Sequence, residues 1–474
     1  MVSDDPVEPI PLGGANGHDG RVEIHGHPLA YLLHDNGWSA TQYLALLDAE
    51  QRKLGLRGVA TRDRKRVTRW IRSGITPDMD AQRAMAALHG IAREEITARP
   101  WPEWLTLACI RERQLLDAPW DPETTIELLD RVAAAGGSMD RRGFLVVSGV
   151  APLLAAAANA APAKAQTVGR QIGRATPALF DQALAILRRQ DDQLGSGNVY
   201  SSARAQLRLV VTTLKTKSYS DETSRQLYAA AGEASRICAW TAYDSGYHSL
   251  AEEYYLGGLR AARTADDPVV TANTLAFWAI LRYSSGDPIG AVGLINEALA
   301  HARRVGSPRM TAMLYARLAR AHAQAGDHRA SARAQNAATD AYDRARDTPR
   351  DEDPDCVYWV NAGELEMLAG SSALNLGRPA DALVRFTAAQ AARSDEVYHE
   401  DEFPRGAAIY LAREAGARID LDDLDGAVDA ARRAVDHMGG VSSARSTTTL
   451  AELRTQFSAR RSVPVVREWL ELTR

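Results

Sequence analysis

The sequence predicts an all-α protein made of two parts, and three observations support this prediction. Strand signals are nearly absent from the 474 residues, which are 45% hydrophobic but only 6% aromatic, a composition typical of tightly packed, alanine-rich helices. A short basic amphipathic helix lies near the N-terminus. The second half of the chain repeats one pattern of small residues. We therefore expect a small helical domain followed by an array of helix pairs.

The basic helix is predicted within residues 60–77, which carry five arginines and a lysine around a short apolar ridge. The ridge positions share one face of a helix with ~3.6 residues per turn: Val67, Trp70 and Ile71. The basic side chains consequently point mostly away from the core. Thr61 is a suitable N-cap, and the turn at 74–77 ends the helix. A short, capped, cationic helix fits the major groove of B-DNA.

The residues after this helix resemble those of lambda-repressor-like (XRE-type) helix-turn-helix domains. Trp70 is followed by Gly74 and Pro77, then by an amphipathic run and Gly90. Two features depart from the family pattern: Ile71 replaces an acidic residue, and the glycine lies one position late. The resemblance implies base contacts from Arg64, Lys65, Thr68 and Arg69. We assign the phosphate contacts to Arg62, Arg66 and Arg72.

Two earlier helices complete the predicted helix-turn-helix domain, which we place at 25–108. The first covers Leu29 to Leu33, and Ser39 caps a second that runs to about Leu54. Residues 55–59 follow that long helix, so the turn before the basic helix carries an insertion relative to the family. The alternative is a solvated cationic helix on an ordinary domain, because charge runs are usually surface features.

Composition restricts the classes of function that the chain can have. The formal net charge is only −4, so the basic segment is a local feature that implies one localised polyanion site. The cysteines are three and widely separated, Cys109, Cys238 and Cys356, which fits buried apolar roles in a reducing cytoplasm. We expect no metal, no cofactor and no catalytic residues, because no Walker A loop, GxSxG or HExxH motif is present.

From about residue 225 onwards the chain repeats one spacing of small residues around a turn. One small residue lies seven positions before the turn residue, a second lies five positions after it, and a third lies seven positions after the second. The turns and their small partners are Gly246 with Ala251, Gly286 with Ala291, Gly326 with Ser331, Gly377 with Ala382, and Asp422 with Ala427. The flanking small residues are Ala239, Ala279, Ala319, Gly370 and Ala415 before, and Gly258, Ala298, Ala338, Ala389 and Ala434 after. Small residues at these places let antiparallel helices approach closely.

This pattern resembles tetratricopeptide repeats, although its turns are about 40 to 50 residues apart instead of ~34. The resemblance implies an α-solenoid over 176–474, with a degenerate first pair at 180–217 interrupted by a loop at 195–198, and a capping pair at 447–459 and 465–473. Such arrays have a concave face on which peptides or partner helices lie. The candidate lining residues are Asn273, Arg282, Tyr315, His322, Tyr410 and Arg413. A structural role is the alternative for each of them.

Residues 109–175 are expected to form linker helices and contain one unusual segment. Residues 139–145, with Arg141 and Arg142, precede an apolar run at 146–161 and look like a twin-arginine export signal. Export machinery acts on N-termini, so a buried linking helix is the favoured interpretation. A partner-docking or membrane-docking segment and an exported short form starting at Met139 remain alternatives. Residues 1–24 are rich in Pro, Gly and Asp, and we expect a disordered tail.

Residues 28–33, 99–105 and 141–145 and the overall layout are similar to those of a set of actinobacterial regulators of differentiation and antibiotic production. The layout more distantly resembles that of the peptide-sensing quorum regulators. It implies a cytoplasmic transcriptional regulator that binds double-stranded DNA as a homodimer, with repression of development or secondary metabolism as the expected role. The repeats would bind a peptide, small molecule or protein ligand, and we expect no stable membrane association. The alternative is a tetratricopeptide scaffold that binds a protein partner and contacts nucleic acid without sequence specificity.

Overall fold

The computed structural model describes residues 27–35, 38–56, 65–105, 107–108, 118–134, 150–393, 403–438 and 443–472. The predicted tail, Arg62, Arg64 and Cys109 lie outside these residues. The fold is all-α, as the sequence predicts. The only strands in the described ranges are Arg170–Gln171 (β1) and Lys217–Ser218 (β2), which pair in parallel. The chain divides into two compact units, and among the described residues the division falls between Pro119 and Trp120.

The N-terminal unit contains α1 (Pro28–Asp35), α2 (Ala40–Lys53), α3 (Lys65–Arg72), α4 (Met79–Leu88) and α5 (Glu95–Ala98), followed by a 3-10 turn at Glu103–Leu105. Ser39 caps α2 as predicted: its Oγ accepts from the Gln42 backbone N–H at 3.3 Å, and the Gln42 side chain accepts from the Ser39 N–H at 2.8 Å. One core joins the helices, and its largest members are Tyr43, Trp70 and Trp104. This core fixes the position of α3.

The C-terminal unit begins with two helices that fall inside the predicted linker, α6 (Pro122–Ala134) and α7 (Val150–Ala158). The array that follows consists of α8 (Thr176–Leu194), α9 (Ser196–Thr216), α10 (Asp221–Asp244), α11 (His248–Thr264), α12 (Pro268–Ser284), α13 (Pro288–Val305), α14 (Pro308–Gln324), α15 (His328–Arg346), α16 (Ala362–Asn375), α17 (Pro379–Arg393), α18 (Pro404–Asp420), α19 (Leu424–Met438), α20 (Ala444–Ser458) and α21 (Pro464–Leu472). Helices α10 to α19 pack as five consecutive pairs, and each pair also contacts the next.

The predicted small residues form the contacts of these five pairs. The fifteen small residues of the pattern outside the turns, from Ala239 to Ala434, are all buried. The contact leaves no spare room at Gly370, where an added Cβ would lie 2.6 Å from the Phe386 ring. One expectation at the start of the array is wrong. The predicted loop at 195–198 is the single residue Gly195, because its φ of +81° lets the chain turn at one position before Ser196 begins α9.

The turn residues within the pairs share a left-handed backbone. The four glycines have φ between +68° and +91°, and Asp422 takes the same place with φ +62°. A side chain in this conformation costs ~1–2 kcal/mol, although aspartate tolerates it better than most residues. We expect D422G to raise the free energy of unfolding by up to ~1 kcal/mol and G326A to lower it by ~1 kcal/mol. No atom lies within 4 Å of a Cβ added at Gly326, so this cost is conformational.

Urea unfolding of the two variants beside the parent chain measures this pair of effects. Equal effects of the same sign would contradict the conformational explanation, because the two substitutions change the same backbone strain in opposite directions.

The described part of the twin-arginine-like segment is 150–161, and most of it forms α7. Its apolar residues Val150, Leu153 and Ala157 are buried, and α7 contacts α11 and α13. The Ala157 carbonyl accepts a hydrogen bond from Arg263 Nε at 2.9 Å. This packing is what a buried linking helix requires. Residues 139–149 lie outside the described residues. Among the described residues, no helix is both long and apolar enough to cross a bilayer.

Candidate nucleic-acid interface and ligand cavity

Helix α3 has two chemically opposite faces. Val67 and Trp70 are 2% and 3% exposed and lie in the core, and Ile71 packs at its edge. The side chains that project away from the core on this helix are exposed: Lys65, Thr68, Arg69 and Arg72. The apolar ridge therefore holds the helix in place and leaves a basic, hydrogen-bonding face towards solvent.

The turn after α3 is fixed by a chain of hydrogen bonds. Gly74 has φ +61°, and the Arg69 carbonyl accepts from the N–H of Ser73 at 3.0 Å and of Ile75 at 3.3 Å, which ends the helix. Beyond it, the buried Gln82 amide donates to the Pro77 carbonyl at 2.8 Å and accepts from the Trp104 indole at 3.3 Å. These contacts fix the position of the segment that joins α3 to α4.

Arg66 has a different environment from the other basic residues of α3. Its side chain is 29% exposed, and its Nη2 lies 3.2 Å from Asp78 Oδ2. Asp78 also caps α4, because its Oδ1 accepts from the Ala81 N–H at 2.8 Å. The structure thus places Arg66, assigned to a phosphate from the sequence, in an ion pair that joins α3 to the start of α4. Thr61, Arg62 and Arg64 fall in the undescribed stretch before α3.

The second candidate site is a cavity of about 670 Å³ in the C-terminal unit. Its walls are the first helix of each pair, α8, α10, α12, α14, α16 and α18, with α20 and the segment 356–359. The lining is rich in arginines and aromatic rings, most prominently Arg236, Arg317, Arg320, Arg405, Trp240, Phe277, Tyr283 and Trp359. Its volume lies within the ~300–1,000 Å³ typical of small-molecule sites.

The array closes on itself around this cavity through Arg405 of α18. Arg405 Nη2 lies 2.8 Å from Asp191 Oδ2 on α8, and its Nη1 donates to Ser196 Oγ at 3.0 Å. The Trp240 indole donates to the same Asp191 carboxylate at 2.9 Å. Burial raises the pKa of Asp191, but the Arg405 guanidinium outweighs this effect and holds that pKa below its usual value. The carboxylate is therefore charged and fully paired.

A second cluster joins α8 to its neighbours. Glu233 accepts from Arg188 at 2.8 Å and from Arg236 at 2.6 Å, so one buried carboxylate pairs with two arginines. Burial raises the pKa of Glu233, yet Arg236 and Arg188 together lower it to about 2. Asp355 adds a contact to Arg189 at 3.1 Å, which ties the segment before α16 to α8. These arginines are therefore compensated by carboxylates of the protein itself.

Three of the residues predicted to line a groove lie on the cavity wall: Asn273, Tyr410 and Arg413. The Tyr410 hydroxyl donates to Glu364, and Arg413 Nη1 donates to Ser371 Oγ at 2.9 Å. The structure does not bring the other three to the cavity. Arg282 is buried between Glu252 and Asp287 at 3.0 and 2.8 Å. Tyr315 and His322 are half-buried on α14, away from the cavity wall.

Sequence reasoning missed the aromatic and basic residues that dominate the cavity. One signal was present: Arg317 and Arg320 lie three residues apart in an alanine-rich first helix, so they share a face. Within the described ranges no cluster of three or more potential metal ligands occurs. Cys238 and Cys356 are buried free thiols.

No protein-family model matches the chain, and no curated protein is significantly similar to it in sequence. Function is therefore inferred from the residues and the geometry of this chain.

Proposed function

We propose that this protein is a sequence-specific DNA-binding transcriptional regulator. The observation that carries the proposal is the division of α3 into a buried face, Val67 and Trp70, and an exposed face, Lys65, Thr68 and Arg69. A helix held in this way can enter a major groove ~12 Å wide without losing its core contacts. In this proposal α2, α3 and α4 form a lambda-repressor-like helix-turn-helix domain, and α3 is its recognition helix.

The roles within α3 follow from the chemistry of its side chains. Arg69 and Lys65 donate to the O6 and N7 acceptors of guanine, and Thr68 contacts a neighbouring base. Arg72, at the exposed C-terminal end, contacts a phosphate. Arg66 is also assigned to a phosphate, because its ion pair with Asp78, at 3.2 Å, is accessible to solvent and does not prevent that contact. Because the chain as a whole has a net charge of −4, the basic face of α3 is a local region of positive charge that attracts a polyanion to this helix.

The array of helix pairs is proposed to be a tetratricopeptide-like solenoid with dimerising and sensory roles. A cytoplasmic homodimer would present two recognition helices to half-sites ~34 Å apart. A ligand in the cavity would favour one arrangement of the two helices. To shift most molecules to that arrangement, the ligand must bind it several kcal/mol more tightly than it binds the other arrangement. Repression of differentiation or secondary metabolism is the regulatory outcome that we propose.

Selection from a pool of random duplexes tests the proposal. The full-length chain is expected to enrich one recurring sequence with two-fold symmetry, and unlabelled genomic DNA should compete weakly for it. Recovery of duplexes with no common sequence would overturn the proposal. It would instead favour the scaffold alternative, in which the basic helix binds polyanions through charge alone.

A further inference from the structure

Two arginines of α14 project into the cavity side by side. Arg317 and Arg320 are three residues apart and both line the cavity, with only 4% and 6% of their surfaces exposed. Buried arginines are rare unless they are paired, because removing a guanidinium from water is costly. The question for each is therefore which group compensates its charge.

Neither arginine has such a partner among the described residues. Nη1 of both side chains is buried without a hydrogen-bond partner, and neither guanidinium forms an ion pair in this part of the chain. Of the four described carboxylates on the cavity wall, Glu452 is exposed and pairs with neither arginine, and the other three are engaged elsewhere. Asp191 is paired with Arg405, Asp192 accepts from the Tyr358 hydroxyl, and Glu364 accepts from the Tyr410 hydroxyl. Glu364 attracts Arg317 only at longer range.

Aromatic rings hold the two guanidinium groups in position. The Arg317 guanidinium carbon lies 4.3 Å from the centre of the Phe277 ring and 5.3 Å from that of Trp359. Arg320 lies 5.7 Å from the Tyr283 ring centre. Stacking uses the faces of a guanidinium and leaves its N–H edge available, which is the edge that pairs with carboxylates and phosphates.

We propose that the cavity binds a small organic acid whose carboxylate or phosphate accepts hydrogen bonds from Arg317 and Arg320. The cavity of about 670 Å³ is far larger than one oxyanion, so the ligand carries an organic body. Trp240, Ile280 and Ile409 supply apolar wall for that body. The regulatory consequence of this binding rests on the proposed function, whereas the binding itself does not.

The energetic basis is the desolvated state of the two arginines before the ligand arrives. Because only 4% and 6% of the two side chains are exposed, an entering anion restores hydrogen bonds at a small further desolvation cost on the protein side. Burial lowers the pKa of Arg317 to about 10, which still leaves it charged at neutral pH. The same buried, uncompensated charge destabilises the unliganded protein.

Calorimetric titration of the full-length protein tests this proposal with three probes of similar size. Benzoate and phenyl phosphate carry the two oxyanions, and benzamide is the neutral control. The test variant is R317M/R320M, which keeps the volume but removes the donors. The control variant is R329M, which changes an exposed arginine of α15.

We expect benzoate, phenyl phosphate or both to bind the parent chain and R329M, and the stronger of the two shows which oxyanion the site prefers. Benzamide should bind at least ~10-fold more weakly, and R317M/R320M should lose ~10-fold or more in affinity for the anions. The Tm of the unliganded double variant should equal or exceed that of the parent.

Three results would overturn the proposal: no binding of either anion at millimolar concentration, equal binding of benzamide, or a lower Tm of R317M/R320M with unchanged anion affinity. The last result would show that the arginines are structural. The titration contains no DNA, so its outcome is separate from that of the duplex selection.

Discussion

R405M is expected to destabilise the C-terminal unit by ~3–5 kcal/mol, because it removes one partner of a buried ion pair. Asp191 and Asp244 are 4% and 0% exposed, and Arg405 lies 2.8 Å and 3.6 Å from their carboxylates. Without the guanidinium these buried carboxylates would lose their principal counter-charge. The contact between α8 and α18, which closes the array around the cavity, would weaken with it.

Urea unfolding followed by helical circular dichroism measures the effect, with R418M as the matched control on the same helix. Arg418 also pairs with two carboxylates, Glu414 at 2.9 Å and Asp423 at 2.6 Å, but its side chain is 29% exposed and its partners are close in sequence. We expect its loss to cost about 1 kcal/mol or less. Equal costs for the two variants would contradict the special role of Arg405 in closing the array.

The second large effect is expected for K65A/R69A on DNA binding. Each base contact contributes ~1–3 kcal/mol of discrimination, so the double variant should lose ~100-fold or more in affinity for the selected duplex. Its affinity for unrelated duplexes should fall much less. R72A should instead weaken binding to all duplexes alike and reduce the salt slope by ~1. Fluorescence anisotropy titrations at several salt concentrations separate the two patterns.

The controls for this experiment come from the same unit. Lys65, Arg69 and Arg72 are exposed, so the variants should unfold at the same urea concentration as the parent. R93A changes another exposed arginine outside α3 and should leave DNA binding within about twofold of the parent. If K65A/R69A and R72A reduced affinity equally on every duplex, the assignment of base contacts would be wrong.

Features of the fold that depend on near neighbours in sequence could be predicted. Ser39 and Gly74 determine where helices begin and end through bonds that span a few residues. The small residues of the repeats mark close helix contacts because the same requirement recurs in every pair. Even Asp422 could be aligned with the turn glycines, and it has the same left-handed backbone.

The cavity could not be predicted in the same way, because it depends on which distant charges meet. Arg405 and Asp191 are 214 residues apart in the chain. Arg282 and Arg317 give the same sequence signal, an arginine in an apolar first helix. In the folded chain Arg282 pairs with Glu252 and Asp287, whereas the Arg317 guanidinium stacks on aromatic rings. Only the packing of several helices distinguishes a structural arginine from one that can bind a ligand.

The central claim is that α3 recognises a DNA sequence. Its most direct test compares the DNA recovered across the genome with the intact protein and with the K65A/R69A variant. A sequence-specific regulator predicts a limited set of sites that share one motif, with two half-sites about one helical turn apart. The variant should lose those sites. Equal recovery of DNA with the intact protein and with K65A/R69A would contradict the claim that α3 recognises bases.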